Sequence, residues 1–333
     1  MSEQKLTVSL SPHVSSPDNV RRIMMDVLLA LSPAALWSVY LFGFQSLRVI
    51  LIGIGACVFF EYVAQRFILK VKPSVDDGSA AVTGLLLAFN LPSHIPSWMI
   101  IVGSFVAIIV AKMTFGGLGN NPFNPALVGR VFMLISFPAA MTSWPVPLLN
   151  RWKFVDAVTA ATPLSVAQEG LKNGTTSQQL LSSLPSYQEL FFGYRGGCLG
   201  EVSVFLLLLG GLYLLYRKVI RLQIPLAVIG SVFVFSAVLW FFNPGVNMPP
   251  VFHILTGGVF LGAIFMATDM VTSPMTVTGM VIFGIAIGIL TVIIRVFGAY
   301  PEGMSFAILI MNAFVPLIDS LIKPRKYGMI SHG

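Results

Sequence analysis

The chain has 333 residues, of which 56% are hydrophobic and 10% charged, with a mean hydropathy of +0.86 and a formal net charge of +7. Soluble domains carry about 25% charged residues, so this composition excludes a soluble enzyme, a disordered chain and a disulfide-stapled secreted module. It points to a polytopic helical membrane protein.

Ten apolar stretches approach the roughly 20 residues that cross a hydrocarbon core. The first five lie near Ile23–Phe42, Val49–Gln65, Ala80–Leu91, Pro96–Ala111 and Pro125–Met141. After a long interruption come Leu199–Tyr216, Ile224–Phe242, Phe252–Thr268, Met275–Ile294 and Met304–Ile318. The third and eighth are short or broken by glycine. The chain therefore divides into a polar N-terminal segment (1–22), a five-span block (23–141), a hydrophilic loop (142–198), a second five-span block (199–322) and a tail (323–333). Met1 to Val20 is polar and does not read as a signal peptide.

The basic residues carry topology. With the N-terminus cytoplasmic, thirteen Lys and Arg fall on the inner side and six on the outer, four of those six in the long loop. The positive-inside rule thus accounts for the net charge, places both termini inside, and leaves no need for a nucleic-acid partner. Arg130 alone lies within a span, nearer its inner end. Five spans is an odd number, which inverts the second block relative to the first, as in carriers and channels built around a midplane site. A sequence echo agrees: Gly116–Phe123 leads into a span with Arg130 and Phe132, and Gly298–Ser305 into one with Asn312 and Phe314 at equal spacing. Cys57 and Cys198 make no CxxC, and the four histidines make no HxxxH, so no metal site is expected.

Four constellations bear chemistry. Asp156 to Leu164 lies in the long loop, with Asp156, Thr159 and Thr162 among small residues. Asp156 with Thr159 suits a capping turn and helix start, while the small neighbours leave the Thr162 hydroxyl open. Gly116 to Arg130 contains Asn120, Asn124 and two Asn-Pro steps; irregular backbone at membrane depth is tolerated where it is buried in protein or lines a cavity. Arg130 must meet an anionic partner or ligand there. Asp269 and Thr272 end the eighth span before Pro274, and suit a polar ligand, a cation or a polar helix terminus. Asp76 and Asp77 precede the third span as helix N-terminal acids. Of the acids in spans, Glu61 lies deepest and is the candidate for ion handling.

Asp77 to Ala88, Gly116 to Arg130, Asp156 to Leu164, Ala267 to Asp269 and Ile294 to Met304, taken in order, resemble one family. It comprises the membrane flavoprotein subunits of two respiratory complexes, the D subunit of Rnf and the B subunit of the sodium-pumping NADH:quinone oxidoreductase. The length and short polar N-terminus are more similar to the Rnf subunit. The resemblance implies an all-α membrane protein with a urea-channel-like fold of broken and half helices, in the cytoplasmic membrane of a bacterium or archaeon. It implies FMN joined through a phosphoester to Thr162 in a D-x-x-(S/T)-(G/A)-A-T motif, here with Thr159-Ala160 where many members have Ser-Gly. A flavin transferase would attach it outside the cytoplasm from FAD, and Lys153 is placed to offset the phosphate charge. The resemblance further implies a noncovalent riboflavin in the membrane part, with Asn120, Asn124, Arg130, Asp269 and Thr272 as candidate cofactor contacts. The partners would be lipid, a neighbouring FMN-bearing subunit and iron–sulfur subunits, in a complex coupling ferredoxin:NAD electron transfer to Na+ or H+ translocation. The alternative is a channel or transporter of the same architecture with no redox cofactor.

Overall fold

The computed structural model describes residues 19–71, 73–148, 159–201 and 203–323, with only the backbone of Thr159 and Ala160. Asp156 and Lys153 lie outside the described residues. Six helical stretches are long and apolar enough to cross a membrane: Val20–Phe42, Phe44–Ile68, Ser97–Phe115, Gln223–Phe242, Val277–Phe297 and Met304–Leu321. Three shorter apolar helices, Ser79–Phe89, Pro125–Ser136 and Val204–Tyr216, complete most of the bundle. Together they define a multi-pass membrane protein.

In chain order, α1 (Val20–Phe42) turns at Gly43 into α2 (Phe44–Val63), which runs on through a π turn. The half-length α3 (Ser79–Phe89) starts where Asp77 accepts hydrogen bonds from the Ser79 N–H and hydroxyl at 2.7 and 2.6 Å. Of the acidic pair, Asp77 therefore meets the start of that span, which follows Gly78. Next come α4 (Ser97–Phe105), also continued by a π turn, and α5 (Pro125–Ser136), capped by the Asn124 side chain. The predicted fifth span breaks at Phe137–Pro138 into α5 and the short α6 (Pro138–Thr142), since proline disfavours helix in the residue before it.

The hydrophilic stretch 142–198 is more than a loop. A two-residue strand, β1 (Trp144–Pro145), pairs antiparallel with β2 (Thr159–Ala160), a small departure from an all-α chain. Three helices follow: α7 (Pro163–Lys172), α8 (Ser177–Ser183) and α9 (Tyr187–Phe192). Thr176 with Gln179, and Ser186 with Glu189, form capping boxes, a spacing visible in the sequence. Leu164, Ala167, Leu180 and Leu190 join Met248 and Phe252 in a separate apolar cluster, which docks this cap on the bundle.

The second half holds α10 (Val204–Tyr216), α11 (Gln223–Phe242), α14 (Val277–Phe297) and α15 (Met304–Leu321). Between α11 and α14, the predicted eighth span is interrupted. It consists of α12 (Pro250–Leu255), a turn at Thr256–Gly258 and α13 (Val259–Leu261) with its π turn. Gly257 at φ +67° makes that turn, and an added Cβ would strike Arg295.

Close helix contacts rest on small residues, because apolar burial gives helices little drive to associate in lipid. A Cβ at Gly84 would lie 2.6 Å from the Gly53 carbonyl oxygen and 2.7 Å from the Ile54 Cα. Both obstacles are backbone, so α2 and α3 would have to separate. Gly84→Ala is therefore expected to cost about 1–3 kcal/mol, read as a lower unfolding midpoint in detergent. Gly55→Ala, with nothing within 4 Å of its Cβ, should leave the midpoint unchanged or raise it.

Candidate functional site

Two cavities lie at opposite ends of the bundle, and α5 runs from one to the other. Asn124, Pro125 and Ala126 at its start line the first; Arg130 and Leu134 line the second. An α-helix rises 1.5 Å per residue, so Asn124 and Arg130 stand roughly 9 Å apart along the axis.

The first cavity encloses about 110 Å³ and is largely apolar, with Lys112, Asn121, Asn124, Thr268 and Asp269 giving it a polar wall. The Asn124 Oδ1 accepts from the Ala126 and Leu127 N–H groups, and its Nδ2 donates to the Met266 carbonyl at 3.2 Å. With its amide turned to satisfy its neighbours, Asn312 accepts from the Asn124 N–H at 3.1 Å and donates to the Thr272 carbonyl at 3.1 Å. The Thr272 hydroxyl donates to Asp269 at 3.2 Å. Asn124, Asp269 and Thr272 are thus brought together. Asn120 sits at the exposed glycine-rich turn, and its neighbour Asn121 lines the cavity instead.

Beside this cavity is an ion pair that the linear sequence splits. The charge count along the chain places Lys112 on the inner side, but it is fully buried and donates to Glu61 at 2.6 Å and to the Ser79 hydroxyl at 2.7 Å. Gln65 donates to Glu61 from the next turn of the helix at 3.4 Å. A lysine between two apolar stretches reads as a loop charge unless the acid that meets it in space is known. Arg195 and Arg295, outer charges by the same count, are buried as well; setting all three aside leaves the basic imbalance in the same direction.

The second cavity encloses about 390 Å³. On one wall, Arg130 is ion-paired with Glu302 and donates to Asn90 at 2.8 Å and to the Ser305 hydroxyl at 2.6 Å. Glu201 lies 3.8 Å from the same guanidinium, as does the Cys198 sulfur. Cys198, Glu201 and Glu302 converge closely enough to hold a metal ion, but the Arg130 guanidinium already occupies the cationic place among them. Glu302 also accepts from the Gly258 N–H at 3.1 Å. Arg195 donates to the Glu201 carbonyl at 2.8 Å. Arg295 donates to the His253 and Thr256 carbonyls at 2.6 and 3.0 Å.

Thr162 stands on the other wall of this cavity. It is half-buried and is the N-cap of α7: its Oγ1 accepts from the Ser165 N–H at 3.1 Å. The Ser165 hydroxyl donates to the Thr162 carbonyl at 2.9 Å, which turns the Thr162 proton toward the Ser165 oxygen, also at 2.9 Å. The β-ribbon holds the chain two residues upstream, and Gln168 fixes α7 to the Arg295 and Gly298 carbonyls at 3.2 and 3.0 Å. The helix start expected at Asp156–Thr159 falls later, at Thr162–Pro163, because Thr159 belongs to β2. Arg130, expected near the inner end of its span, faces the Thr162 cavity because α5 starts deep, at Asn124. Trp144 and Tyr300 add aromatic walls. Sequence reasoning passed over Glu201 and Arg195 as site residues; Glu201 inside the sixth span as read from the sequence, with Arg195 just before it, was the available signal.

Apolar spanning helices, with two cavities and buried ion pairs among them, make this a multi-pass integral membrane protein. The profile of the NQR2, RnfD, RnfE family matches residues 7–328, and the chain belongs to that family. It is 46% identical over 327 residues to the D subunit of the proton-translocating ferredoxin:NAD(+) oxidoreductase complex of Clostridium ljungdahlii, covering 97% of this chain and 96% of the relative. It is 44% identical over 332 residues to the D subunit of the Na(+)-translocating ferredoxin:NAD(+) oxidoreductase complex of Acetobacterium woodii, covering 99% and 97%. The D subunit of the ion-translocating oxidoreductase complex of Stutzerimonas stutzeri is 39% identical over 332 residues, covering 95% and 94%.

Breaking a buried pair by removing one partner costs about 3–5 kcal/mol, because the other charge stays buried and unpaired. Lys112→Met is expected to lower the unfolding midpoint strongly, and Glu61→Gln in the same chain to restore part of the loss. Simple addition of the two single effects would show that the pair does not act as a unit.

Proposed function

We propose that this chain is the membrane flavoprotein subunit of an Rnf-type complex, which moves electrons between ferredoxin and NAD and couples them to Na+ or H+ translocation. It acts within the complex and not alone. The observation that carries this reading is the convergence of Thr162 and the Arg130–Glu302 cluster on one cavity. Relatives of nearly equal identity are named for protons and for sodium, so overall similarity does not select the ion.

FMN suits the second cavity. Its volume lies within the roughly 300–1,000 Å³ of ligand sites, two aromatic side chains and several polar groups line it, and Thr162 opens into it. The Thr162 hydroxyl oxygen would form a bond to the FAD phosphorus next to riboflavin. The pyrophosphate bond would break, AMP would leave, and the hydroxyl proton would pass to the flavin transferase. When bound, the isoalloxazine supplies the electron chemistry, while the protein sets its position and potential. Thr162 anchors, α7 orients the anchor, and Trp144 with Tyr300 shields the site from water. Arg130 with Glu302 fixes the opposite wall.

A riboflavin in the membrane part belongs to the same reading. The first cavity offers a polar wall from Asn124 and Asp269, but its 110 Å³ does not fit a whole riboflavin, and that ligand rests on the resemblance alone. The basic residues support cytoplasmic termini and an extracytoplasmic Thr162. Two contacts suit the inverted five-plus-five arrangement: Arg130 of the first block reaches Glu302 and Ser305, and Asn312 of the second reaches Asn124. The partners in this reading are the neighbouring FMN-bearing subunit, the iron–sulfur subunits and lipid.

The purified subunit, denatured and separated on a gel, is expected to fluoresce under ultraviolet light. Thr162→Val should abolish that band, and Thr162→Ser should keep some of it. Equal fluorescence from the valine variant would refute attachment at Thr162. A purified chain with no flavin absorption band would instead support a channel or transporter without a cofactor.

A further inference from the structure

The buried charges on the wall of the second cavity and directly behind it, where Arg295 lies, do not balance among the described residues. Three guanidiniums, Arg130, Arg195 and Arg295, are each no more than 4% exposed, and two carboxylates, Glu201 and Glu302, face them. Arginine keeps its charge in proteins. The cluster is therefore +1 with both carboxylates ionised and +2 if one of them holds a proton; the sign is the same either way. Lys172 and Glu169 also line the cavity, but they are exposed, opposite in sign and solvated. A buried cation without a counter-charge is costly, so an anion is called for.

The contacts identify which guanidinium lacks one. Arg130 takes both carboxylates, Glu302 directly and Glu201 at 3.8 Å. Arg195 and Arg295 are held by backbone carbonyls, and the same two carboxylates act on them only from beyond ion-pair distance. Of these two, Arg195 lines the Thr162 cavity, and Arg295 lines a separate cavity on the far side of α7. Thr162 itself caps a ten-residue helix, whose N-terminus favours negative charge. The Arg130 Nε, buried in the same wall, has no hydrogen-bond partner.

We propose that Arg195 is the counter-ion of the phosphate tethered at Thr162, so that the cofactor completes the charge of a cluster that the polypeptide leaves positive. This rests on the reading of Thr162 as the FMN attachment point. A phosphodiester carries one negative charge, which matches the +1 of the cluster with both carboxylates ionised. Arg195 is then a positioning residue, and the attached cofactor is a structural element of the folded subunit.

The test compares the full chain, assembled in its complex, from cells with and without the flavin transferase. Wild type, Arg195→Gln and Arg195→Lys are each isolated loaded and unloaded, with the Thr162 peptide mass reporting occupancy and the unfolding midpoint reporting stability. Loading is expected to raise the wild-type midpoint by several degrees. Arg195→Gln should lose most of that rise, Arg195→Lys should keep much of it, and unloaded Arg195→Gln should be no less stable than unloaded wild type. A merely structural arginine would lower loaded and unloaded midpoints equally, and that result, or an unloaded glutamine variant that does not fold, overturns the proposal. A wild-type Thr162 peptide without the flavin mass, from cells that contain the transferase, refutes the attachment itself. That failure is told apart because it appears before any Arg195 variant is compared.

Discussion

A guanidinium in the middle of a helix bundle must be met by an anion and by hydrogen-bond acceptors, or the bundle does not close around it. Arg130 meets that demand with groups far apart in the chain: Asn90 at the end of α3, Glu302 in the turn before α15, and Ser305 on α15 itself. Much of the local architecture serves this one side chain. The glycine turn at 257–258 lets the Gly258 N–H reach Glu302. The early end of α3 leaves Asn90 facing the arginine. The non-helical stretch before α10 carries Cys198 and Glu201 to the same place.

The spans were legible in the sequence because lipid imposes a single strong requirement, a long apolar run with its backbone bonded internally. Their interruptions were legible as well, from glycines and Asn-Pro steps, although the exact breaks were not. Periodicity cannot show that the Phe137–Pro138 step separates two helices, or that the eighth span bends at Gly257. The helical cap was legible only in part. Its S/T-x-x-E/Q boxes were present, but its amphipathic helices are short and their apolar faces are few. Thr162 stood out by motif, whereas its distance from Arg130 in space did not, because the start of α5 at Asn124 fixes how deep Arg130 lies. The ion pairs were the least legible feature. Lys112 and Glu61 are 51 residues apart, and a charge count along the chain treats a buried lysine and a solvated one alike.

The two buried charge systems differ in kind. Lys112 and Glu61 form a one-to-one pair, with Ser79 and Gln65 satisfying the remaining positions. The cluster at the other end has more donors than carboxylates and opens on a larger cavity. The first can be complete within the polypeptide. The second is not paired one to one among the described residues. Between them, α5 presents Asn124 to one cavity and Arg130 to the other, so a small rotation of this one helix would be felt at both.

The Arg130–Glu302 bond also constrains how the chain can change over generations. Its two partners lie 172 positions apart, on opposite sides of the helical cap, and the Asn124–Asn312 contact returns the tie in the other direction. Neither block is then free to diverge by itself. Recombination that joined the first block of one relative to the second block of another would keep the two blocks packed in this way only if both contacts were carried intact.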